Sequence, residues 1–163
     1  MRILGIDPGT QRLGWGVIES QAGKVKASSY GCITTVPKQN HGERLVYIFD
    51  ELTRIIGQEK PQVLAIEKLF FIKNVTTAMT VSEARGVVIL ACKQAGLEIF
   101  EYTPLQIKMG LTGYGKAEKS QIQMMVKMIL GLTEVPKPDD VADALAVAIT
   151  HINSAKVYVE KKI

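Results

Sequence analysis

The feature that most restricts the fold is a short run of apolar residues, 63–66, closed by the carboxylate of Glu67. A run of this length without a polar interruption is typical of a strand that is buried on both faces. Such a strand lies inside a sheet whose two faces are covered by helices. The rest of the chain must therefore supply further strands and amphipathic helices.

The chain contains candidates for both kinds of element. Residues 2–7 are an apolar run ending in Asp-Pro-Gly, which is typical of a central strand entering a tight turn. Two more β-prone runs follow, and the spacing of apolar residues then predicts helices alternating with strands. We predict strands at 2–7, 13–20, 24–34, 63–66 and 97–102, helices at 43–58, 74–94, 104–109, 117–130 and 140–154, and a flexible glycine-rich loop at 110–116.

These elements predict an α/β fold, a mixed five-stranded sheet that begins with a three-stranded antiparallel meander and has helices on both faces. We expect one domain over residues 1–155 and a short C-terminal tail over 156–163. In such sheets, binding and catalytic residues collect at strand ends and in the adjoining loops.

The composition is that of an ordinary globular protein, with 47% hydrophobic and 22% charged residues. A formal net charge of +4 permits nucleic-acid binding without proving it. We find no secretory signal and no apolar stretch of the ~18 residues needed to span a bilayer, so we expect a cytoplasmic protein without a membrane partner. Cys32 and Cys92 are expected to be buried, reduced thiols.

Four acidic residues lie at the ends of predicted strands or at the start of a predicted helix, where catalytic residues are expected. Asp7 ends the first strand, and Glu67 ends the buried strand, where an unpaired carboxylate is unfavourable. Asp140 and Asp143 are three positions apart at the start of the last helix, so their side chains share a face. We assign the preceding residue, Asp139, as the helix N-cap. If Asp139 faces the site instead, it takes the place of Asp140.

Each acid also has a purely structural alternative. Asp7 could shape the Asp-Pro-Gly turn only, and Glu67 could pair with a neighbouring base such as Lys68. The acids of the last helix could merely favour the positive end of its dipole.

Gathering four carboxylates is unfavourable without a cation, because like charges repel one another or force protonation. Hard oxygen ligands favour Mg²⁺, with Mn²⁺ as the expected substitute. Two such ions about 4 Å apart would hold a phosphodiester, one making hydroxide from water and the other stabilising the leaving 3′ oxygen. This arrangement predicts hydrolysis to a 5′-phosphate and a 3′-hydroxyl.

Five short motifs follow one another along nearly the whole chain: Ile6-Asp7-Pro8-Gly9, Ala65-Ile66-Glu67, Ala84-Arg85-Gly86, Ala117-Glu118-Lys119-Ser120 and Ala142-Asp143-Ala144-Leu145-Ala146. Together they resemble the bacterial RuvC Holliday-junction resolvases. The resemblance implies a ribonuclease H-like fold and a Mg²⁺-dependent, structure-selective endodeoxyribonuclease of homologous recombination and DNA repair. It also implies a homodimer that makes paired symmetric cuts in four-way junction DNA, with RuvA and RuvB as partners.

The resemblance assigns roles to individual residues. The metal-binding acids of the family fall on the four acids already selected, Asp7, Glu67, Asp140 and Asp143. Phe70 falls where the family has an aromatic residue at the junction centre, and it would stack on an opened base, although core or dimer packing would also explain it. Lys108 and Lys119 match basic positions near the scissile backbone. Weaker candidates for backbone contact are Lys116, Arg85, Lys73 and Asn74.

Other functions share parts of this pattern. Asp7-Pro8-Gly9-Thr10 also resembles the phosphate loop of actin-like and sugar-kinase ATPases, but those enzymes need two such domains. Residues 110–116 spell the G-x-x-x-x-G-K of a nucleotide-binding loop, yet Ala117 stands where Ser or Thr is required. A DNA-binding module with a decayed site would lack some of the acids. A ribonuclease H-like nuclease acting on RNA or on nicked DNA is a closer competitor.

Several further side chains have structural expectations. His151 could approach Asp143, although we expect it to be packed in the core, and we expect His41 on the surface. We place the methionines of the fourth predicted helix on its inner side: Met124, Met125 and Met128. The candidate dimer contact is the second predicted helix, with Val81, Val87, Val88 and Leu90.

Overall fold

The computed structural model describes residues 1–69 and 75–154, with the backbone alone described for Val75 and Thr76. Over these residues the chain forms a five-stranded sheet and five helices. In chain order they are β1 (Arg2–Asp7), β2 (Arg12–Gln21), β3 (Lys24–Thr34), α1 (His41–Glu59), β4 (Val63–Glu67), α2 (Val75–Gln94), β5 (Glu98–Tyr102), α3 (Pro104–Thr112), α4 (Lys119–Leu130) and α5 (Asp139–Ser154).

The sheet has the strand order β3-β2-β1-β4-β5. The first three strands are antiparallel neighbours, and β4 and β5 run parallel to β1. Because β1 and β4 are parallel neighbours, their carboxyl ends lie at the same edge of the sheet. Asp7 and Glu67 are the last residues of these two strands, so the topology brings them to one edge.

Both faces of the sheet are covered, as the apolar run in β4 predicts. Alternate residues point to opposite faces, so Leu64 and Ile66 face the cluster that contains α1 and α2. Val63 and Ala65 face the cluster that contains α3, α4 and α5. Each fully buried Ile or Leu contributes about 1.5–3 kcal/mol to folding. The predicted α/β fold with helices on both faces is confirmed.

Helix α5 lies very close to β1 and β2, because small residues meet at the contact. A Cβ added to Gly5 would overlap the carbonyl oxygen of Ala144 and crowd Ala148, and one added to Gly14 would overlap the carbonyl oxygen of Asp140. This close approach carries the acidic start of α5 to the sheet edge where β1 ends.

The predicted glycine-rich loop is shorter than expected. Helix α3 continues to Thr112, and Gly113 ends it in the left-handed conformation, with φ 70°. Gly110 is therefore helical, and a Cβ there would come within 3.1 Å of the Thr150 side chain on α5. The prediction of a loop beginning at Gly110 is wrong because this glycine provides close packing between two helices rather than backbone freedom.

Some predicted burial is also wrong. Met124 and Met128 are 49% and 67% exposed, because α4 buries a different stripe of residues: Ile122, Val126 and Leu130. Met125 is partly buried against the core. Cys92 is buried, as predicted, and burial raises the pKa of its thiol to about 12. Cys32 is only half-buried, because β3 is an edge strand.

The helix proposed as a dimer contact is partly used by the core. Val88 is fully buried, and Val87 packs against the same cluster. Leu90 is 52% exposed, whereas the half-buried Val81 lies nine positions earlier and therefore on the opposite face of the helix. Within residues 1–69 and 75–154, no helix is both long and apolar enough to cross a membrane.

Candidate active site

Four carboxylates meet at the sheet edge where β1 and β4 end. They are Asp7, Glu67, Asp140 and Asp143, which we call the acidic cluster. All four side chains are half-buried. Two adjoining clefts open beside them, of about 230 Å³ and about 320 Å³, and share Glu67 and Pro104 in their walls. The first cleft also contains Asp143, and the second contains Asp7.

The members of the acidic cluster are close enough for their charges to raise the pKa of other members. Burial raises the pKa of Asp7 from 3.8 to about 7, with further contributions from the negative charges of Asp143, Asp140 and Glu67. Burial also raises the pKa of Glu67, and the charge of Asp143 adds to the effect. The acids selected from the sequence are therefore brought together in space.

Two basic side chains partly compensate this negative charge. Arg12 Nε lies 3.3 Å from Asp140 Oδ2, and Lys119 Nζ lies 3.2 Å from Asp143 Oδ2. Burial raises the pKa of Asp143, and the hydrogen bond and charge of Lys119 oppose that rise. Burial alone would lower the pKa of Lys119, but hydrogen bonds and charges from Asp143 and Asp139 outweigh it and raise the pKa.

Asp139 does not have the predicted position. It is the first residue of α5 rather than the residue before it, and its exposed carboxylate lies 3.4 Å from Lys119 Nζ. The backbone amide of Val141 donates to the carbonyl oxygen of Pro138 at 2.9 Å, so this first turn is closed by backbone rather than by a side-chain cap. Asp140, and not Asp139, is among the charges that raise the pKa of Asp7.

The donors of the acidic cluster fit a hard divalent cation. They are all carboxylate oxygens, the type that Mg²⁺ and Mn²⁺ prefer. Asp140 Oδ2 is buried and makes no hydrogen bond, although the Arg12 guanidinium is within ion-pair distance. A buried carboxylate oxygen without a hydrogen-bond partner is unfavourable unless a cation compensates it.

The cluster is nevertheless an open arrangement. Over the two described ranges, no three His, Cys, Asp or Glu side chains are gathered tightly enough to enclose an ion. Two of the four carboxylates point to basic partners, Asp140 to Arg12 and Asp143 to Lys119. Closing the cluster around a cation therefore requires these two side chains to exchange partners.

The predicted lysines differ in their relation to the site. Lys108 on α3 and Lys119 on α4 both line the 230 Å³ cleft beside Glu67 and Asp143. Lys116 is exposed in the turn between α3 and α4 and does not line that cleft. Two lysines are therefore placed beside the acidic cluster and a third lies nearby in sequence.

Arg85 is not brought to the site. Its side chain, only 14% exposed, pairs with Glu101 on β5, and burial lowers the pKa of its guanidinium. This contact holds α2 to the edge strand of the sheet. The other candidates for DNA contact, Phe70, Lys73 and Asn74, lie outside the described residues.

The two histidines have structural environments. His151 is 6% exposed, with Nδ1 2.7 Å from the hydroxyl of Tyr102 and its ring centroid 4.6 Å from that of Phe100. Burial lowers the pKa of His151. The expectation of a packed histidine is confirmed, and so is the surface position of His41, which pairs with Glu83.

Arg12 is the residue of this site that the sequence did not indicate. It begins β2, and the hairpin register places Asp7 opposite Gly14, so β2 returns past the end of β1. A basic residue five positions after Asp7 was the available signal. The proximity of Arg12 to the site can be inferred only when the register of the β1–β2 hairpin is known.

Comparisons with known proteins cover the whole site. A family model described as "Crossover junction endodeoxyribonuclease RuvC" matches residues 3–151. The chain is 54% identical, over 166 aligned positions, to the crossover junction endodeoxyribonuclease RuvC of Caldicellulosiruptor saccharolyticus, and the alignment covers 100% of both proteins.

Solved structures agree with this match. The fold is similar to that of Thermus thermophilus RuvC, with a TM-score of 0.90 and 35% identity over 100% of both chains. It is equally similar, with a TM-score of 0.90 and 32% identity over 100% of both chains, to T. thermophilus RuvC in complex with Holliday junction substrate.

Proposed function

The chain belongs to the RuvC family of crossover junction endodeoxyribonucleases, and we propose that it resolves four-way (Holliday) DNA junctions by hydrolysing phosphodiester bonds. The observation that carries this proposal is the acidic cluster at one edge of a ribonuclease H-like sheet. Because desolvation and mutual repulsion oppose such a cluster, its assembly by the fold favours a role in binding cations.

Junction DNA is the proposed substrate. The similar T. thermophilus protein has been solved with a Holliday junction substrate. In this chain, Lys108 and Lys119 flank the cleft beside Glu67 and Asp143. Their ammonium groups would contact backbone phosphate oxygens and hold the scissile bond against the carboxylates. Phe70 is the proposed stacking residue at the junction centre.

The acidic cluster is proposed to hold two Mg²⁺ ions, for which Mn²⁺ would substitute. Bound there, the ions would supply a nucleophile from water at neutral pH and offset the charge that develops on the leaving oxygen. Asp7 and Glu67, fixed at strand ends, would set the position of the cations, and Asp140 and Asp143 would complete the set from α5. Hydrolysis would leave a 5′-phosphate and a 3′-hydroxyl.

Lys119 would also exchange partners during this reaction. Lys119 pairs with Asp143 and Asp139, so its charge becomes available to a phosphate when Asp143 turns to a cation. The wall of the cleft formed by Ile107 and Ile122 is buried and apolar, which limits water around the reacting phosphate.

Paired symmetric cuts need two active sites, so the proposed form is a homodimer. Helix α2 is the proposed contact, with the exposed Leu90 on its accessible face. RuvA and RuvB are the proposed partners in homologous recombination and DNA repair, and the proposed location is the cytoplasm.

The function is tested by incubating the protein with Mg²⁺ and a synthetic four-way junction beside a linear duplex of the same sequence. We expect paired cuts in the junction, little cutting of the duplex, and no cutting of either in EDTA. Equal cutting of junction and duplex would assign the chain to another ribonuclease H-like activity.

A further inference from the structure

Arg12 lies at the rim of the acidic cluster and is absent from the motifs that carry the family resemblance. Its side chain is 59% exposed, and its Nε is 3.3 Å from Asp140 Oδ2. Its guanidinium therefore places a positive charge beside one of the four carboxylates. A divalent cation bound by the acidic cluster would compete with this charge for the same carboxylate.

The backbone that carries Arg12 is held in place. Arg12 pairs with Thr34 across the β2–β3 ladder. The buried Thr35 donates from its hydroxyl to the carbonyl oxygen of Thr10 at 2.8 Å and from its amide to that of Gln11 at 3.0 Å. A Cβ on Gly9 would overlap the carbonyl oxygen of Arg12, so the turn after β1 also packs on it. The backbone of Arg12 is therefore fixed, and only its long side chain can move.

The partner carboxylate is equally constrained. The backbone of Asp140 is pressed against Gly14, where no side chain fits. Its Oδ2 is buried and has no hydrogen bond, so the Arg12 guanidinium is the positive group placed to compensate it in the described residues. A divalent cation at the cluster would compensate the same oxygen more strongly, and the exposed arginine is free to turn outward.

We propose that Arg12 is a positioning residue that holds Asp140 as a counter-ion until a divalent cation replaces it, and that it thereby sets the cation affinity of the acidic cluster. This inference rests on the proposed function only in taking the cluster as the metal site. Removing the arginine charge removes a competitor and makes the cluster more negative. Cations should then bind more tightly.

The test is an Mn²⁺ titration of the protein without DNA, in which free Mn²⁺ is followed by electron paramagnetic resonance. Arg12→Gln is expected to bind Mn²⁺ about two- to fivefold more tightly than the wild type, the range that an exposed ion pair contributes. Arg12→Lys keeps the charge and should remain close to the wild type. The matched control is Arg54→Gln, since Arg54 is 52% exposed and pairs with Glu51 on α1; its Mn²⁺ affinity should not change.

Thermal unfolding separates this role from a purely structural one. Arg12→Gln should lower the midpoint in EDTA and recover most of that loss in saturating Mn²⁺, whereas a structural defect would lower the midpoint equally in both. Unchanged or weaker Mn²⁺ binding by Arg12→Gln would overturn the inference while leaving the proposed function intact. If the wild type showed no Mn²⁺ site that Asp7→Asn removes, both the inference and the proposed metal site would be wrong.

Discussion

Burial and three neighbouring carboxylates make Asp7 difficult to ionise, which is a property of this residue's exact neighbours rather than of the Asp-Pro-Gly turn. The pKa of its carboxyl is raised from 3.8 to about 7. Between these values the folded protein keeps a proton that the unfolded chain releases. The contribution of Asp7 to the free energy of unfolding therefore falls as the pH rises from about 4 to about 7, because the folded state holds the proton more tightly.

Replacing Asp7 by Asn should remove this penalty. The full shift corresponds to about 4 kcal/mol, and solvent screening at this half-buried side chain reduces it. In EDTA, we therefore expect Asp7→Asn to stabilise the protein increasingly between pH 4 and pH 7, with a plateau of on the order of 2 kcal/mol above pH 7. For a chain of this size that corresponds to roughly 4–8 °C in the unfolding midpoint. Thermal unfolding of the wild type and Asp7→Asn at pH 5 and pH 8 measures this stabilisation. A stabilisation that is the same at both pH values would show that Asp7 is not shifted by its neighbours.

At the scale of elements, α5 determines whether the site forms, since it carries two of the four acids and packs on glycines of β1 and β2. The sequence predicted that small residues would bring this helix close to the sheet. It did not give the start of the helix correctly, because the backbone of Pro138 closes the first turn and leaves Asp139 helical and exposed. The helix starts one residue earlier than predicted because the carbonyl oxygen of Pro138, and not the side chain of Asp139, accepts from the amide of Val141.

The register of α5 is tested by comparing amide variants along its first turn. Asp140→Asn and Asp143→Asn should lower single-turnover junction cleavage by about a hundredfold or more, since each removes a proposed cation ligand. Asp139→Asn should remain within about threefold of the wild type, because an exposed ion pair with Lys119 contributes little. A large loss for Asp139→Asn together with a small one for Asp140→Asn would mean that the two residues have exchanged roles.

The close packing of α5 is tested at Gly14. Gly14→Ala should destabilise the protein by about 1–3 kcal/mol and reduce cleavage, because the new methyl group displaces the backbone of Asp140. Gly57→Ala is the matched control: Gly57 lies in α1, with open space around its Cβ position, and the change should be neutral or stabilise by up to about 1 kcal/mol. Chemical denaturation measures both. Equal stability of the Gly14 variant and the wild type would contradict this packing.

Two predictions about helices were wrong, one for the buried face of α4 and one for the end of α3. Helix α4 has two apolar stripes at a spacing of four, one with Ile122 and Val126 and one with Met124 and Met128. The first stripe is the stronger one, because Met125, Ile129 and Leu130 continue it at spacings of three and four residues. The sequence pattern therefore indicates the buried face correctly, and placing Met124 and Met128 on it was wrong. The end of α3 was mispredicted for another reason: Gly110 stays helical where α3 packs closely on Thr150 of α5, and Gly113 ends the helix.

At the scale of the whole molecule, the acidic cluster was predictable because its members follow from topology. Parallel neighbouring strands end at one edge, and a helix rich in alanine packs against them. Arg12 was not predictable in the same way, because its place depends on the register of a hairpin and on the reach of a flexible side chain. The family match over residues 3–151 confirms the fold and the resemblance drawn from the motifs.

The account as a whole depends on the acidic cluster being the place where the DNA backbone is cut. The most direct measurement compares wild type and Asp7→Asn for cleavage and for binding of the same four-way junction, with Mg²⁺ for cleavage and EDTA for binding. We expect cleavage to fall by about a hundredfold or more, while junction binding is unchanged or tighter, because a cation ligand and a repulsive charge are both removed. Cleavage at the wild-type rate, or loss of junction binding together with cleavage, would contradict this assignment.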